Sequence, residues 1–134
     1  MISLEQAIRA LTVSEKKARE LGTLITTVIV DTHGSIIAVA RMDGALPISP
    51  KFAYSKAFTS ANLGMASGDI AAFAGEGKPY VGLTQLFGGE LTTIAGGIPV
   101  KKGGKVIGAV GVGGSVDVAQ DAQCALAAQK TLEE

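Results

Sequence analysis

Apolar positions along the chain change period several times, and each change predicts an element. Leu4, Ala7, Ile8, Leu11, Ala18 and Leu21 recur near helical spacing and give one apolar stripe, while Glu15, Lys16, Lys17, Arg19 and Glu20 mostly lie off it. Ser3 with Gln6 three residues on forms a capping box, and Gly22 supplies a C-terminal stop. Two β-branched runs follow, Leu24 to Val30 and Ile36 to Ala40. The Asp31-Thr32-His33-Gly34 segment between them reads as a hairpin turn, because Asp hydrogen-bonds its own turn and Gly takes a positive φ. Neither run alternates as a strand with one wet face does, so both faces should be covered, by helices or by another subunit.

Pro47 and Pro50 break the chain before a second helix, from about Pro50 to Leu63, with Ala53, Ala57, Phe58, Ala61 and Met65 as its buried side. A short helix is expected from about Gly68 to Ala74, then a loop at Gly75-Glu76-Gly77-Lys78-Pro79. Strands are expected at about Leu91 to Ile94, at Ile98 to Lys101 and at Lys105 to Val112, the last two joined by a tight turn at Gly103-Gly104. The final helix runs from about Asp117 to Leu132, capped by Asp117 with Gln120, and packs through Ala122, Ala125, Leu126 and Ala128. Short turns between sequential strands imply a largely antiparallel sheet. The predicted class is α/β, of the α+β kind: five antiparallel strands flanked by helices, in one domain over residues 1–134.

Composition narrows the function. With 12 basic and 12 acidic side chains, there is no positive excess to neutralise phosphates, and no nucleic-acid partner is expected. Zero net charge leaves self-association little opposed. No apolar run approaches the roughly 18 residues needed to cross a bilayer. The opening Met1-Ile2-Ser3-Leu4-Glu5 enters a helix rather than a leader, so the expected location is the cytoplasm. The single Cys124 excludes a disulfide framework and reads as a small buried hydrophobe.

Candidate chemistry is sparse. The 18 glycines concentrate at Gly96-Gly97 and at Gly108, Gly111, Gly113 and Gly114. Glycine inside a strand marks a close approach, either by a packed helix or by a ligand or subunit seated against bare backbone. Gly111-Val112-Gly113-Gly114-Ser115 lacks the Lys-Ser/Thr ending of a Walker loop and the βαβ context of a dinucleotide fingerprint. Its amides before a helix start still suit a carboxylate or propionate. His33, the only histidine, cannot build a zinc cage but can be one axial ligand to haem. Arg41, Asp43 and Lys56 are charged residues in apolar surroundings. Arg41 and Asp43 suit a local ion pair. Alternatively, Arg41 and Lys56 anchor an anion while Asp43 or Asp31 accepts a proton.

An ordered set of motifs resembles the GlcG/HbpS family: Val30-Asp31-x-x-Gly34, Arg41-Met42-Asp43-Gly44-Ala45, Lys56-Ala57-Phe58-Thr59, Gly96-Gly97-Ile98-Pro99-Val100, Ile107 through Gly114, and Gln120-Asp121. That family includes haem-binding proteins and the C-terminal domain of PduO-type cobalamin adenosyltransferases. The resemblance implies a profilin-like fold, homo-oligomers, and a haem or corrinoid ligand. It makes His33, Gly96, Gly97, Pro99, Gly113 and Gly114 candidate cofactor contacts. With one histidine per chain, a second axial ligand falls to Tyr54, Tyr80, a methionine or a neighbouring subunit. Three functions stay open: a tetrapyrrole-binding protein; a cofactor-free tautomerase or hydrolase for a small carboxylated catabolite, using Arg41, Asp43 and Lys56; and a structural oligomer without a ligand.

Overall fold

One antiparallel sheet organises the computed structural model, which describes residues Met1–Glu134. In chain order the elements are α1 (Leu4–Leu21), β1 (Thr26–Asp31), β2 (Ile36–Arg41), α2 (Ser49–Leu63), a 3-10 turn (Ser67–Ile70) running into the one-turn α3 (Ala71–Ala74), β3 (Gly97–Lys102), β4 (Lys105–Gly113) and α4 (Val118–Glu133). The strands lie in the order β2-β1-β4-β3. There are four strands rather than the five expected, and the missing one is Leu91 to Ile94. Its backbone is committed to side chains instead of a ladder: Thr92 N–H donates to Thr59 Oγ1 (3.0 Å), and the Ile94 carbonyl accepts from Ser67 Oγ (2.6 Å).

Helix α2 covers one face of the sheet, and α1 with α4 cover the other. Strand alternation sorts the core accordingly. Val28, Val30 and Ala109 meet Ala53, Ala57 and Ala61 of α2. Ile25, Ile29, Val110 and Val112 meet the α1–α4 layer. Each fully buried Val or Ile contributes roughly 1.5–3 kcal/mol of transfer free energy. Adjacent threonines of β1 tie the sheet to both layers: Thr26 Oγ1 pairs with Ser49 Oγ of α2, and Thr27 Oγ1 with Ser14 Oγ of α1, both at 2.7 Å and buried.

Helix α1 carries its predicted capping box, but its buried face is rotated from the predicted stripe. Ala7, Ala10, Leu11, Ser14 and Ala18 are inside, while Leu4 and Ile8 are exposed. The small residues face Cys124, Ala125 and Ala128 of α4, and alanine lets two helix backbones approach closely where leucine would hold them apart. Strand β1 is buried on both faces, as its composition implied. Strand β2 is an edge strand with Ile36 and Val39 exposed, so no element of this chain covers it fully. No helix is long and apolar enough to cross a membrane.

Candidate functional site

Lys56 projects from the sheet-facing side of α2, in register with Ala53, Ala57 and Ser60, and is 3% exposed. A buried ammonium needs partners that replace water. Lys56 Nζ donates to the Val112 carbonyl at 2.8 Å and to Asp121 Oδ2 at 3.1 Å. Asp121, 1% exposed on the first turn of α4, also accepts from the Ser115 N–H through Oδ1 at 3.1 Å. The pair therefore joins the two helical layers around the end of β4. Burial lifts the Asp121 carboxyl above the ordinary aspartate range, and the Lys56 ammonium opposes that push without reversing it. Sequence places Asp121 in the Gln120-Asp121 motif without a chemical role. The signal for it was present: Asp121, Cys124, Ala125, Ala128 and Leu132 recur on one helical face, so an acid sits on a buried stripe.

The glycines beside this pair serve close packing. A Cβ at Gly97 would strike the Lys56 carbonyl, and one at Gly111 would strike the Ala53 carbonyl and lie 2.5 Å from Ala57 N. At Gly113 it would lie 2.7 Å from Phe52 Cβ. Helix α2 thus rests on bare strand backbone, and the space a ligand would take at Gly97 and Gly113 is filled by the helix. Gly96 has φ +130°, and a Cβ there would come within 2.9 Å of Lys56 Nζ. Pro99 is buried on edge strand β3, where a missing N–H is tolerated, and its carbonyl accepts from Gln129. Gly114, in contrast, lines a cavity of about 170 Å³ with Ser115, above Lys56 and Asp121; its walls are Leu46, Phe52, Ile94 and Val118.

Arg41 and Asp43 are exposed, form no ion pair with each other, and do not line the cavity that holds Lys56. Lys56 is neutralised by Asp121 rather than left free for an anion. His33 is exposed at the far end of β1, about 17 Å of strand from Thr26 and the ion pair. Asp31 Oδ1 accepts from the backbone N–H groups of His33 (2.8 Å) and Ser35 (3.0 Å), which fixes the turn as its sequence predicted.

Next to that turn lies a second kind of surface. A Cβ at Gly34 would sit 2.6 Å from Phe58 Cδ1 and 2.9 Å from Asn62 Nδ2. Phe58 and Asn62 line a cavity of about 290 Å³ with Leu63, Phe87 and Leu91. Leu63 also borders a cavity of about 380 Å³ lined by Met65, Phe73, Tyr80 and Leu83. Together they make an apolar groove with four aromatic rings, running from the β1–β2 turn along the end of α2. No three His, Cys, Asp or Glu side chains gather to hold a metal ion. Cys124 is buried, and burial with the nearby Asp121 pushes its thiol up to about 11.

The family model described as haem degrading protein HbpS-like matches residues 2–130. Corrinoid adenosyltransferase PduO of Salmonella typhimurium is 33% identical over 127 residues, which are 93% of this chain and 37% of that protein. The chain therefore spans little more than a third of PduO. The crystal structure of Klebsiella pneumoniae protein ORFY is similar with a TM-score of 0.94 at 30% identity, covering 98% of this chain and 90% of that one. The crystal structure of a PduOC:haem complex is similar with a TM-score of 0.87 at 28% identity, covering 98% of this chain and 95% of that one.

Proposed function

This chain belongs to the HbpS-like family, and from that premise we propose that it is a small haem-binding protein. The observation that carries the reading is the likeness, over nearly the whole chain, to a PduOC structure described as a haem complex. The aromatic groove suits a flat apolar macrocycle: Phe58, Phe73, Tyr80 and Phe87 line it, and no charged side chain does. His33 adjoins it through Gly34 and is the one imidazole this chain can offer the iron. When bound, haem would bring its own redox and ligand-binding chemistry. The chain's part is to exclude water with aromatic faces and to orient the iron by His33.

Titration of haem into the purified protein tests this. A saturable Soret band at micromolar haem is expected, with its position changed in His33→Ala and its amplitude lost in Phe58→Ala/Phe87→Ala. Absence of saturable binding rejects the reading. Binding with an unchanged Soret band in His33→Ala rejects His33 as ligand. A parallel titration with cobalamin separates haem from a corrinoid, the ligand class in the name of PduO.

Self-association belongs to the same proposal, and its support is edge strand β2, where Ile36 is 55% and Val39 43% exposed. Light scattering should give more than one chain per particle, and Val39→Lys should reduce it. A reducing cytoplasm fits the unpaired Cys124.

A further inference from the structure

The cavity above Lys56 and Asp121 is separate from the aromatic groove and has a different chemistry. Its floor is a buried ion pair, and its four walls, Leu46, Phe52, Ile94 and Val118, are between 40% and 55% exposed at the rim. Those exposures are 53%, 41%, 48% and 41% respectively, so the mouth is open while the charges lie deep. An ammonium has three donors. Lys56 Nζ uses two, to Val112 and Asp121, which leaves one. Each Asp121 oxygen accepts one bond, from Lys56 or from Ser115, although a carboxylate oxygen has room for two. The floor thus offers a spare donor beside spare acceptors, with no net charge.

We propose that this cavity binds a small neutral amphiphile, with a hydroxyl or carbonyl head on the Lys56–Asp121 pair and an apolar body between Phe52 and Val118. Size follows from volume: a cavity of about 150 Å³ holds benzene, so the roughly 170 Å³ here takes a body of about six heavy atoms. Charge follows from the pair. A carboxylate entering the cavity would lose its water against a floor whose ammonium is already neutralised, so an anion is disfavoured. A hydroxyl, by contrast, can accept from Lys56 and donate to Asp121 at once. The site does not depend on haem binding in the groove.

Three probes with one ring and different heads test the inference: phenol, benzoate and benzene, followed by amide shifts in two-dimensional NMR of the whole chain. Phenol should shift Gly114, Ser115 and Val118 saturably. Benzoate and benzene should each bind at least about tenfold more weakly, the first for its charge and the second for leaving the floor's hydrogen bonds unmade. Val118→Trp fills the cavity from an exposed position and should abolish the phenol shifts, as should Leu46→Trp from the opposite wall, with unchanged thermal unfolding confirming that each variant folds. The inference is overturned if phenol gives no saturable shift at these residues. It is equally overturned if benzoate or benzene binds as well as phenol, or if both filled variants keep full affinity.

Discussion

Helix α2 has different surroundings on its two sides. Through Ala53, Lys56, Ala57 and Ser60 it sits on a seat of glycine and alanine, and the Lys56 charge on that side is buried and paired. Ser60 Oγ is the one buried side-chain polar atom without a partner. On its other side, from Ser55 to Leu63, the helix meets residues of the 71–94 segment, where short turns are tied down by single side-chain bonds and large apolar side chains stay exposed: Tyr80 at 59%, Val81 at 61% and Phe87 at 70%. The first region gains its order from close approach, which tolerates no added atom. The second presents apolar surface that no element of this chain covers, and contiguous exposed apolar surface of that kind marks a binding site. One helix thus supplies a close-packed anchor on one side and an apolar binding surface on the other.

Breaking the seat should have the largest effect. Gly111→Val places a side chain where the Ala53 carbonyl and Ala57 N already lie, so α2 must lift from the sheet. The expected loss is roughly 3 kcal/mol or more, a large part of a typical domain's stability, read from urea unfolding. Removing the charge below comes next. Lys56→Met leaves Asp121 buried without its counter-charge and should cost about 3–5 kcal/mol, while Lys56→Met/Asp121→Leu should recover most of it. The pH dependence has a definite sign. A carboxyl whose folded value stands above its unfolded one binds its proton more tightly when folded, so stability rises as pH falls through that folded value. Lys56→Met removes the charge that holds the Asp121 carboxyl down, so the variant gains more than the native protein as pH falls, and the cost of the substitution should shrink in acid. A cost that stays constant from neutral pH to below the ordinary aspartate range would contradict this account.

Local periodicity carried most of the fold because its signals are local. The Ser3–Gln6 box, the Asp31 turn, the Gly103-Gly104 hairpin and Asp117 as a cap all form within a few residues. What stayed hidden was long-range. Lys56 reads as a free cation until Asp121, 65 residues on, is seen across the end of β4. Leu91 to Ile94 has the composition of a strand, but Ser67 and Thr59 claim its backbone first. The large residues of α1 outweigh its alanines in any hydrophobic pattern, yet closeness to α4 selects the alanines. The site divides in the same way. Residue type singles out candidates, and topology sets their neighbours: Lys56 and Gly114 share a cavity, His33 stands exposed in the β1–β2 turn, and Arg41 and Asp43 line neither that cavity nor the aromatic ones.

Cys124 sharpens the contrast from inside the anchored region. It is fully buried beside Asp121, and its thiol is pushed up to about 11. At pH 8 its thiolate fraction should be roughly a hundredfold below that of an unperturbed cysteine, before any steric protection. Labelling by a thiol reagent should be correspondingly slow in the native protein and should accelerate in Gly111→Val only as far as that variant loses global stability. Fast labelling of the native chain would mean that the α1–α4 layer opens far more readily than its packing implies.

The smallest effect should come from the irregular region. Thr59 Oγ1 holds Thr92 N–H at 3.0 Å, one of few bonds tying residues 87–94 to α2. Thr59→Val keeps the shape of the buried side chain and removes that acceptor together with the hydroxyl's own bond to the Ser55 carbonyl (2.8 Å), for a cost of about 1–2 kcal/mol. Because the bond fastens an element that contributes little to the core, the loss should be local: faster amide exchange at Thr92 and its neighbours, with β1 and β4 amides unchanged. The same loosening should alter the cavity that Phe87 and Leu91 help to form, so any change in the proposed haem binding should exceed the change in global unfolding. Equal acceleration at Thr92 and in β4 would show that the elements on both sides of α2 unfold as one unit, and that the difference between them is one of shape and not of stability.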